Sequence, residues 1–376
     1  MFISEALADE LDSATVRPGE LIFTRKGTIG QVSVIPQNPR FPRYVISSSQ
    51  MKARLDRDRA VPGFYYFWFR SPQGQRALLA NASQVGVPSI ANSLATLRDV
   101  LVPFPARAEQ QAIAEVLGAL DDKIALNEQI AATARSLCRA TMEAVWHAER
   151  ITSLTDRDAA LPAEWQRTNL GRLCAAGGGA IQTGPFGSQL HAADYVESGI
   201  PSVMPQNIGD NVISEDGIAR ITAVDAQRLS KYLLAEGDIV YSRRGDVKRR
   251  ALVRSYEEGW LCGTGCLRVR VGTAASPLFI SYYLGEPEIQ DWIAQHAVGA
   301  TMPNLNTSIL GEVPVVLPPE PVTEATRVRL AGLDAAAAHV THENRTLAEL
   351  RDTLLPQLVT GKLRVKDATR LVEEVV

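Results

Sequence analysis

The chain has 376 residues, a formal net charge of −3 at neutral pH and a hydrophobic content of 45%. This length allows two or three domains, and the composition is that of an ordinary globular protein. No run approaches the roughly 18–20 apolar residues of a membrane span. The first residues, MFISEALADELDS, lack the cationic start and apolar core of a signal peptide. We therefore expect a cytoplasmic protein with no membrane contact, in which positive charge for binding nucleic acid is local or supplied by a partner.

The first third of the chain predicts a mixed α/β domain. Residues 18–35, PGELIFTRKGTIGQVSVI, predict two strands joined by a glycine turn. Residues 44–55, YVISSSQMKARL, predict another strand, and residues 99–105, DVLVPFP, predict a closing strand with a proline stop. Residues 62–81, PGFYYFWFRSPQGQRALLAN, predict two short helices. The aromatic run at 64–69 could stack on bases, but packing in the core is the favoured interpretation.

A long helix is predicted next, because residues 109–147 contain no proline and one glycine. Apolar residues recur there at alternating spacings of four and three, which is typical of a coiled-coil seam. The predicted seam consists of Ile113, Leu117, Leu120, Ile124, Asn127, Ala131, Ala134, Cys138, Thr141 and Val145.

The chain then repeats itself. Residues 239–248, IVYSRRGDVK, resemble residues 21–30, LIFTRKGTIG, so that Arg243 corresponds to Arg25 at an offset of 218. Further on, identical residues recur 215 positions later: Pro62, Phe64, Pro72, Gln75, Pro88 and Pro103 match Pro277, Phe279, Pro287, Gln290, Pro303 and Pro318. This pattern indicates a tandem duplication of a domain and its connector.

The second copy predicts the same elements as the first. Residues 236–253 predict two strands and a turn, residues 260–271 another strand, residues 276–295 short helices, and residues 312–319 a closing strand. A second heptad seam follows, with Leu330, Leu333, Ala337, Val340, Asn344, Leu347, Arg351, Leu354 and Leu358. We expect Asn127 and Asn344 to meet across an antiparallel helix pair and to fix its register. The alternative is that each lies at the edge of the seam, in contact with water.

Cations cluster in the second copy of the repeated hairpin. Between Ser242 and Ser255, six Lys or Arg residues face a single acid, Asp246. Arginine can bind guanine with two hydrogen bonds, and both cations neutralise phosphates. The alternative is that these cations form a solvated face or contact a partner protein. The candidate DNA-binding residues here and at the repeated position are Arg243, Arg244, Lys248, Arg249, Arg25, Lys26 and Thr28.

Polar residues of several other loops are further candidates. Gln and Asn can read adenine with two hydrogen bonds, but such residues also cap turns. These candidates are Ser48, Gln50, Thr183, Gly187, Ser188, Gln189, Gln206 and Asn207.

The sequence offers no motif for catalysis. The run Gly177–Gly179 and the segment TGPFGS are not followed by the Lys-Ser/Thr of a P-loop. The Pro-Pro pair at 318–319 lacks the Asn or Asp and the aromatic residue of an adenine methyltransferase motif, and no acidic group resembles a nuclease centre. The four cysteines lack metal-ligand spacing and are interpreted as ordinary buried or semi-buried thiols. The five histidines lack that spacing too, and His339 and His342 are interpreted as part of a solvated helix face. We expect a chain that binds no metal or cofactor and catalyses nothing by itself.

Several segments together resemble the specificity subunits of type I restriction-modification systems, and the resemblance covers essentially the whole chain. They are LIFTRKGTIG with VISSSQMKAR, EQQAIAEVLGALDDKIALNEQI, IQTGPFGSQLHAADYVESGIPSVMPQNI, GDIVYSRRGDV with GWLCGTGCLRVR, and ENRTLAELRDTLLPQLVTGKL. In the second helical region, TEATRVRL replaces the EQQAIAEVL of the first.

The resemblance implies an α/β (α+β) fold with two mixed-sheet target-recognition domains, separated by a long antiparallel coiled-coil pair with a pseudo-two-fold axis. The expected domains are 1–103 and 151–318, with helices at 104–150 and 319–376. The segment that begins near Leu161 in the second copy has no equivalent in the first. We therefore expect the first recognition domain to be incomplete at its N-terminus.

The resemblance also implies partners. Each domain would read one half of a split, asymmetric sequence in double-stranded DNA, and the helices would act as a ruler and dock two methyltransferase subunits. Motor-nuclease subunits would join that core, and S-adenosylmethionine, ATP and Mg²⁺ would bind to the partner subunits. The alternatives are a coiled-coil scaffold that binds protein, or an atypical methyltransferase or nuclease component.

Overall fold

The structure is a computed structural model that describes residues 2–83, 86–299 and 302–374. Its first part, in chain order, comprises α1 Glu5–Glu10, β1 Thr15–Val16, β2 Leu21–Thr24, β3 Val32–Val34, β4 Tyr44–Val45, β5 Gln50–Ala53, α2 Pro62–Arg70, α3 Pro72–Leu78, β6 Ala82–Ser83, β7 Ser89–Ile90, α4 Ser93–Asp99 and the long helix α5 Arg107–Ala148.

The second part continues with β8 Gln166–Asn169, α6 Leu170–Ala176, β9 Ala180–Thr183, β10 Tyr195–Val196, β11 Ile200–Val203, β12 Ala219–Ile221, α7 Ala223–Arg228, β13 Ile239–Ser242, β14 Arg250–Leu252, β15 Leu261–Cys262, β16 Cys266–Arg270, α8 Pro277–Tyr283, α9 Pro287–His296, α10 Thr307–Gly311, β17 Pro314–Leu317, α11 Glu320–Val359 and α12 Val365–Glu373. Single turns of 3₁₀ helix lie at Asp12–Ala14, Ala192–Asp194, Pro205–Asn207, Ser230–Tyr232 and Ser255–Glu257.

The chain forms two compact units. Unit 1 combines the residues up to Gln129 with those from Val340 onward, and unit 2 comprises Ile130–His339. Each unit therefore contains part of both long helices. The domain boundaries at 103, 150 and 318 stay predictions.

Unit 1 is built on an antiparallel sheet with the strand order β3-β2-β5, in which Leu21 pairs with Val34 and with Ala53. Two further antiparallel pairs of short strands, β1-β4 and β6-β7, form separate two-stranded sheets. The predicted helix pair is confirmed as α2 and α3. The aromatic residues of α2 pack in the core, as Phe64, Phe67 and Trp68 are at most 5% exposed.

Unit 2 repeats this sheet with one more strand, in the order β14-β13-β16-β9. Ile239 pairs with Leu252 and with Val269, as Leu21 does with its two partners in unit 1. A second sheet has the order β10-β12-β11-β15, with β11 and β15 parallel. The mixed helix and sheet composition is as predicted.

The strand predicted at residues 99–105 is wrong. Its equivalent in unit 2, β17, forms because it pairs along its length with β8. Unit 1 contains no counterpart of β8 among its described residues, so residues 100–105 have no strand partner and remain irregular. Leu101 is 92% exposed as a result.

The long helices pack against each other in an antiparallel manner. Within unit 1, Asp121 of α5 binds Arg351 of α11, and Asn127 binds Asn344, so numbers rise along one helix as they fall along the other. In unit 2, Cys138 Sγ lies 4.0 Å from the carbonyl oxygen of Leu330.

Most of the predicted α5 seam is buried, but its last two positions are shifted by one residue. Met142 and Trp146 are buried, whereas Thr141 and Val145 are only half-buried. An undistorted α-helix has 3.6 residues per turn and drifts away from a strict 3.5-residue seam. The core of unit 2 also takes up Trp146, which packs edge-on against Trp165.

The four cysteines are buried free thiols, as predicted. Burial raises the pKa of Cys174 to about 11 and that of Cys262 to about 12. In the described ranges, no helix is long and apolar enough to cross a membrane.

Candidate nucleic-acid interface

The turn between β2 and β3, here called hairpin loop 1 (residues 25–31), is held by three backbone hydrogen bonds. Arg25 N donates to Ser49 O at 2.9 Å, and Ile90 N donates to Arg25 O at 3.0 Å. Gly27 N donates to Pro88 O at 2.8 Å, and its φ of +86° is one that residues with a side chain rarely adopt. The loop is thereby fixed against two segments distant in sequence.

The turn between β13 and β14, here called hairpin loop 2 (residues 243–249), is held in the same way. Arg243 N donates to Gly265 O at 2.8 Å, Leu305 N donates to Arg243 O at 2.8 Å, and Gly245 N donates to Pro303 O at 3.1 Å. Gly245 has a φ of +77°. Each bond has its counterpart in hairpin loop 1, so the sequence repeat is also a repeat of loop geometry.

This shared geometry gives the two cations of each loop different roles. The Arg25 guanidinium Nε donates to Ser48 O at 3.0 Å, and the Arg243 Nε donates to Leu305 O at 3.2 Å, so both side chains brace their loops. Lys26 and Arg244 occupy the next position and are exposed. Within the described residues, neither of these two side chains forms an ion pair, which leaves both available to a ligand.

Lys248 and Arg249 of hairpin loop 2 are held by acids at the surface. Lys248 Nζ lies 2.7 Å from Asp291, and Arg249 Nε lies 3.1 Å from Asp246. Exposed ion pairs contribute only about 0–1 kcal/mol. Both cations can therefore exchange their carboxylate partners for phosphates at little cost.

Two cations of the predicted cluster are structural. Arg250 is 1% exposed and donates from Nε to Ser281 O at 2.7 Å. Arg254 forms an ion pair with Asp334 of α11. The sequence could not separate them from their neighbours, because the alternation along β14 that turns Arg250 inward depends on the register with β13.

Among the described residues, no cluster of three or more His, Cys, Asp or Glu side chains could hold a metal ion.

The chain is similar to known proteins in sequence and in fold. Residues 4–135 match the family model described as Type I restriction modification DNA specificity domain. The type I restriction enzyme MjaIX specificity subunit of Methanocaldococcus jannaschii is 23% identical over 97% of this chain and 82% of its own length. The EcoBI specificity subunit of Escherichia coli is 24% identical over 67% of this chain and 55% of its own.

The crystal structure of the S subunit of a type I restriction-modification system from M. genitalium has the same fold. Its TM-score is 0.54 at 17% sequence identity, and the match covers 91% of this chain and 83% of that one. Residues 4–135 therefore match a type I restriction modification DNA specificity domain, and nearly the whole chain is similar to a type I specificity subunit.

The candidate residues in hairpin loop 1 and its surroundings lie close together. Thr28 is exposed, and its hydroxyl lies 3.5 Å from Gln31 Oε1. Ser48 is exposed and offers its carbonyl to Arg25. Gln50 caps the turn before β5, since its Oε1 accepts from Ser47 N at 3.0 Å.

Of the polar candidates elsewhere, some are exposed and others already form hydrogen bonds within the protein. Gly187, Ser188 and Gln206 are exposed in their loops, and Thr183 is half-buried at the end of β9. Gln189 Oε1 accepts from Tyr232 Oη at 2.8 Å, which braces its own loop.

Asn207 is a turn cap in the described conformation. It is 1% exposed, its Oδ1 accepts from Met204 N at 3.1 Å, and its Nδ2 donates to the carbonyl oxygens of Ser214 and Asp216. These bonds occupy both ends of the amide, so the described conformation leaves Asn207 no free group for a base.

Proposed function

We propose that this specificity subunit reads a split, asymmetric sequence in double-stranded DNA, with unit 1 and unit 2 each reading one half. The observation that carries the proposal is the pair of matched hairpin loops. Their backbones are held by equivalent hydrogen bonds, but they present different exposed cations, Lys26 and Arg244. Different side chains at equivalent positions would favour different bases, which suits an asymmetric target.

Phosphate contacts would supply much of the affinity. Lys248 and Arg249 belong to hairpin loop 2 and form exposed ion pairs, and each can neutralise a phosphate when DNA displaces the acid. The net charge of −3 does not oppose this, because the contacts depend on local charge.

The long helices would set the unread spacer and dock two methyltransferase subunits, to which the motor-nuclease subunits bind. In unit 2, Ile130 and Leu137 of α5 are 40% and 49% exposed and lie seven residues apart, hence on one face. Such apolar side chains suit a protein partner. Catalysis, S-adenosylmethionine, ATP and Mg²⁺ are assigned to those partners, and the complex would act on DNA in the cytoplasm.

The test is a map of modified adenines. The chain is co-expressed with its methyltransferase subunit in a host without other adenine methylation, and the genome is sequenced by a single-molecule method. We expect one split motif with two unlike halves, and none when the methyltransferase subunit is expressed alone. A continuous or palindromic motif would contradict the proposal.

Two alternatives give different results. A coiled-coil scaffold that binds only protein would show no salt-sensitive binding of DNA by the assembled complex, whereas phosphate contacts give a steep salt dependence. A methyltransferase or nuclease with an atypical site would modify or cut DNA as the purified chain alone.

A further inference from the structure

An open cleft of about 610 Å³ is lined in part by residues of hairpin loop 2. It brings together candidates from two distant segments with a residue of the long helix α5 that sequence reasoning did not single out. The charged or amide side chains of its lining are Arg139, Gln206, Asn207, Asp210, Asp246, Lys248, Arg249 and Gln290.

Arg139 of α5 belongs to a triad of two arginines and one aspartate. Its Nη1 lies 2.6 Å from Asp210 Oδ2, and the other oxygen of Asp210 lies 3.0 Å from Arg250 Nη1. Arg250 is 1% exposed, whereas the side chains of Arg139 and Asp210 are 43% and 56% exposed. Asp210 therefore has a buried partner and an exposed one.

The charge balance of this triad favours an anion at Arg139. Within the triad two guanidinium groups share one carboxylate, and Arg250, whose charge also acts on the neighbouring Glu286, stays paired with Asp210 when Arg139 leaves. Arg250 cannot leave, because its Nε is also bonded to Ser281 O at 2.7 Å in the core. The Arg139–Asp210 pair is exposed and so contributes little to stability. Arg139 can therefore bind another anion while the buried guanidinium of Arg250 keeps its partner Asp210.

Unit 1 contains a triad of the same composition, in which Asp121 of α5 binds Arg70 and Arg351 of α11. The side chain of Arg351 is only 15% exposed, whereas that of Arg139 is 43% exposed. A cavity of about 450 Å³ lies there, lined among others by Gln31, Gln75 and Arg70. Arg70 is the counterpart of Gly285 in the repeat, and its guanidinium binds Asp121 of α5 at 2.7 Å. The helix thus contributes a cation to the cavity of unit 2 and a carboxylate near that of unit 1.

We propose that Arg139 binds a phosphate of the DNA backbone beside hairpin loop 2, and that Asp210 holds this guanidinium in place until DNA arrives. This inference rests on the proposed function. A phosphodiester in the cavity would be shared by Arg139 with Lys248 and Arg249, and a guanidinium binds phosphate through two parallel hydrogen bonds. The contact positions the DNA and carries no sequence information. It connects helix α5 to the half-site of unit 2.

The test compares Arg139→Gln with the unaltered full chain in binding a 40-base-pair duplex over a range of salt concentrations. Loss of one phosphate contact makes the negative slope of log K against log salt shallower by about 0.9. We expect this change in Arg139→Gln. The matched control is Arg327→Gln on α11, which removes a cation that is 44% exposed and paired with Glu324 outside the cavity. We expect the control to keep the full slope.

A second variant protects the test against misfolding. Arg139→Lys retains the charge, so the slope should be preserved, and DNA should shield the introduced lysine from acetylation as measured by mass spectrometry. An unchanged slope in Arg139→Gln, or acetylation unaffected by DNA, would overturn the inference while the proposed function stands. If the unaltered chain itself bound DNA without salt dependence, both would fall.

Discussion

At the scale of single residues, the two units reach similar packing with different side chains. In unit 1, Arg70 extends from the end of α2 to Asp121. In unit 2 the equivalent residue is Gly285, and the space beside it is filled by Arg250 from β14. A Cβ added at Gly285 would lie 1.8 Å from Arg250 Nη2. The glycine is therefore required by the arginine.

This arrangement predicts that Gly285→Ala destabilises unit 2. Arg250 is buried and bonded on two sides, so it cannot move away from the added methyl group. Overpacking of a core of this kind costs about 1–3 kcal/mol. Urea denaturation followed by tryptophan fluorescence measures the loss. Gly332→Ala is the control, because a Cβ there meets nothing within 4 Å and alanine is the better helix former. Equal effects of the two substitutions would contradict the packing argument.

Glu286, the next residue, predicts a dependence of stability on pH. Burial raises the pKa of its carboxyl group from 4.5 to about 7; the nearby Glu143 and Glu288 act in the same direction, and Arg250 opposes them. The folded state thus holds a proton that the unfolded chain releases. The stability from Glu286 is complete below pH 4.5 and is lost as the pH rises to about 7.

Glu286→Gln removes this titration, since glutamine resembles the neutral acid at every pH. The variant should gain stability relative to the unaltered chain between pH 5 and pH 8, by up to about 3 kcal/mol. Urea denaturation at both pH values measures the gain, with Glu197→Gln at an exposed site as the control. A difference that is the same at pH 5 and pH 8 would contradict the assignment.

The site residues show where sequence reasoning ends. The repeated Thr-Arg-Lys-Gly and Ser-Arg-Arg-Gly segments were sufficient to predict two equivalent hairpin loops. The division of labour within them was not predictable. Whether Arg243 or Arg244 faces outward depends on the hydrogen bonds of the loop to residues some 20 and 60 positions away. Arg139 was missed because helix periodicity gives no sign of what lies opposite an exposed residue.

At the scale of elements, local pattern was a reliable guide where an element closes its own hydrogen bonds. The long helices, the helix pair α2–α3 and the hairpin strands follow from periodicity and turn residues. The strand prediction for residues 99–105 was wrong because a strand cannot close its own hydrogen bonds. A strand needs a partner, and its pattern cannot show that β8 is matched only in unit 2. The shifted end of the α5 seam likewise depends on the core around Trp165.

The paired asparagines of α5 and α11 give a prediction for the helix pair. Asn127 Nδ2 donates to Asn344 Oδ1 at 2.9 Å and to Glu343, and Asn344 Nδ2 donates to Ile124 O at 3.1 Å. Replacing one asparagine with leucine removes the hydrogen bond between the two and leaves the other with its remaining partner, Glu343 or Ile124, which costs about 1 kcal/mol for a lost hydrogen bond. Replacing both removes that penalty, so the double variant should be at least as stable as either single variant.

A double-mutant cycle of Asn127→Leu and Asn344→Leu by urea denaturation measures this coupling. Additive losses would show that the two residues do not act as a pair. The role in register stays a prediction, and the double variant addresses it directly: a Leu–Leu seam without the polar pair should admit alternative pairings of the helices.

At the scale of the whole molecule, the chain is a duplicated domain. The two copies share backbone geometry and differ in their exposed side chains. The matched hydrogen bonds of the hairpin loops, the matched sheet registers and the matched cavities are the shared frame. The exposed cations, the cavity linings and the sheet of β10, β11, β12 and β15, which belongs to unit 2, differ. The proposal that each unit reads a different half-site requires this combination of shared geometry and different side chains.

The most direct test of this account changes one reader at a time. Lys26→Ala and Arg244→Ala are each co-expressed with the methyltransferase subunit, and modified adenines are mapped as for the unaltered chain. The account predicts that each substitution relaxes or weakens recognition in one half of the split motif, a different half for each, with the spacer length unchanged. If both substitutions altered the same half, or neither altered any base preference, the assignment of one half-site to each unit would be contradicted.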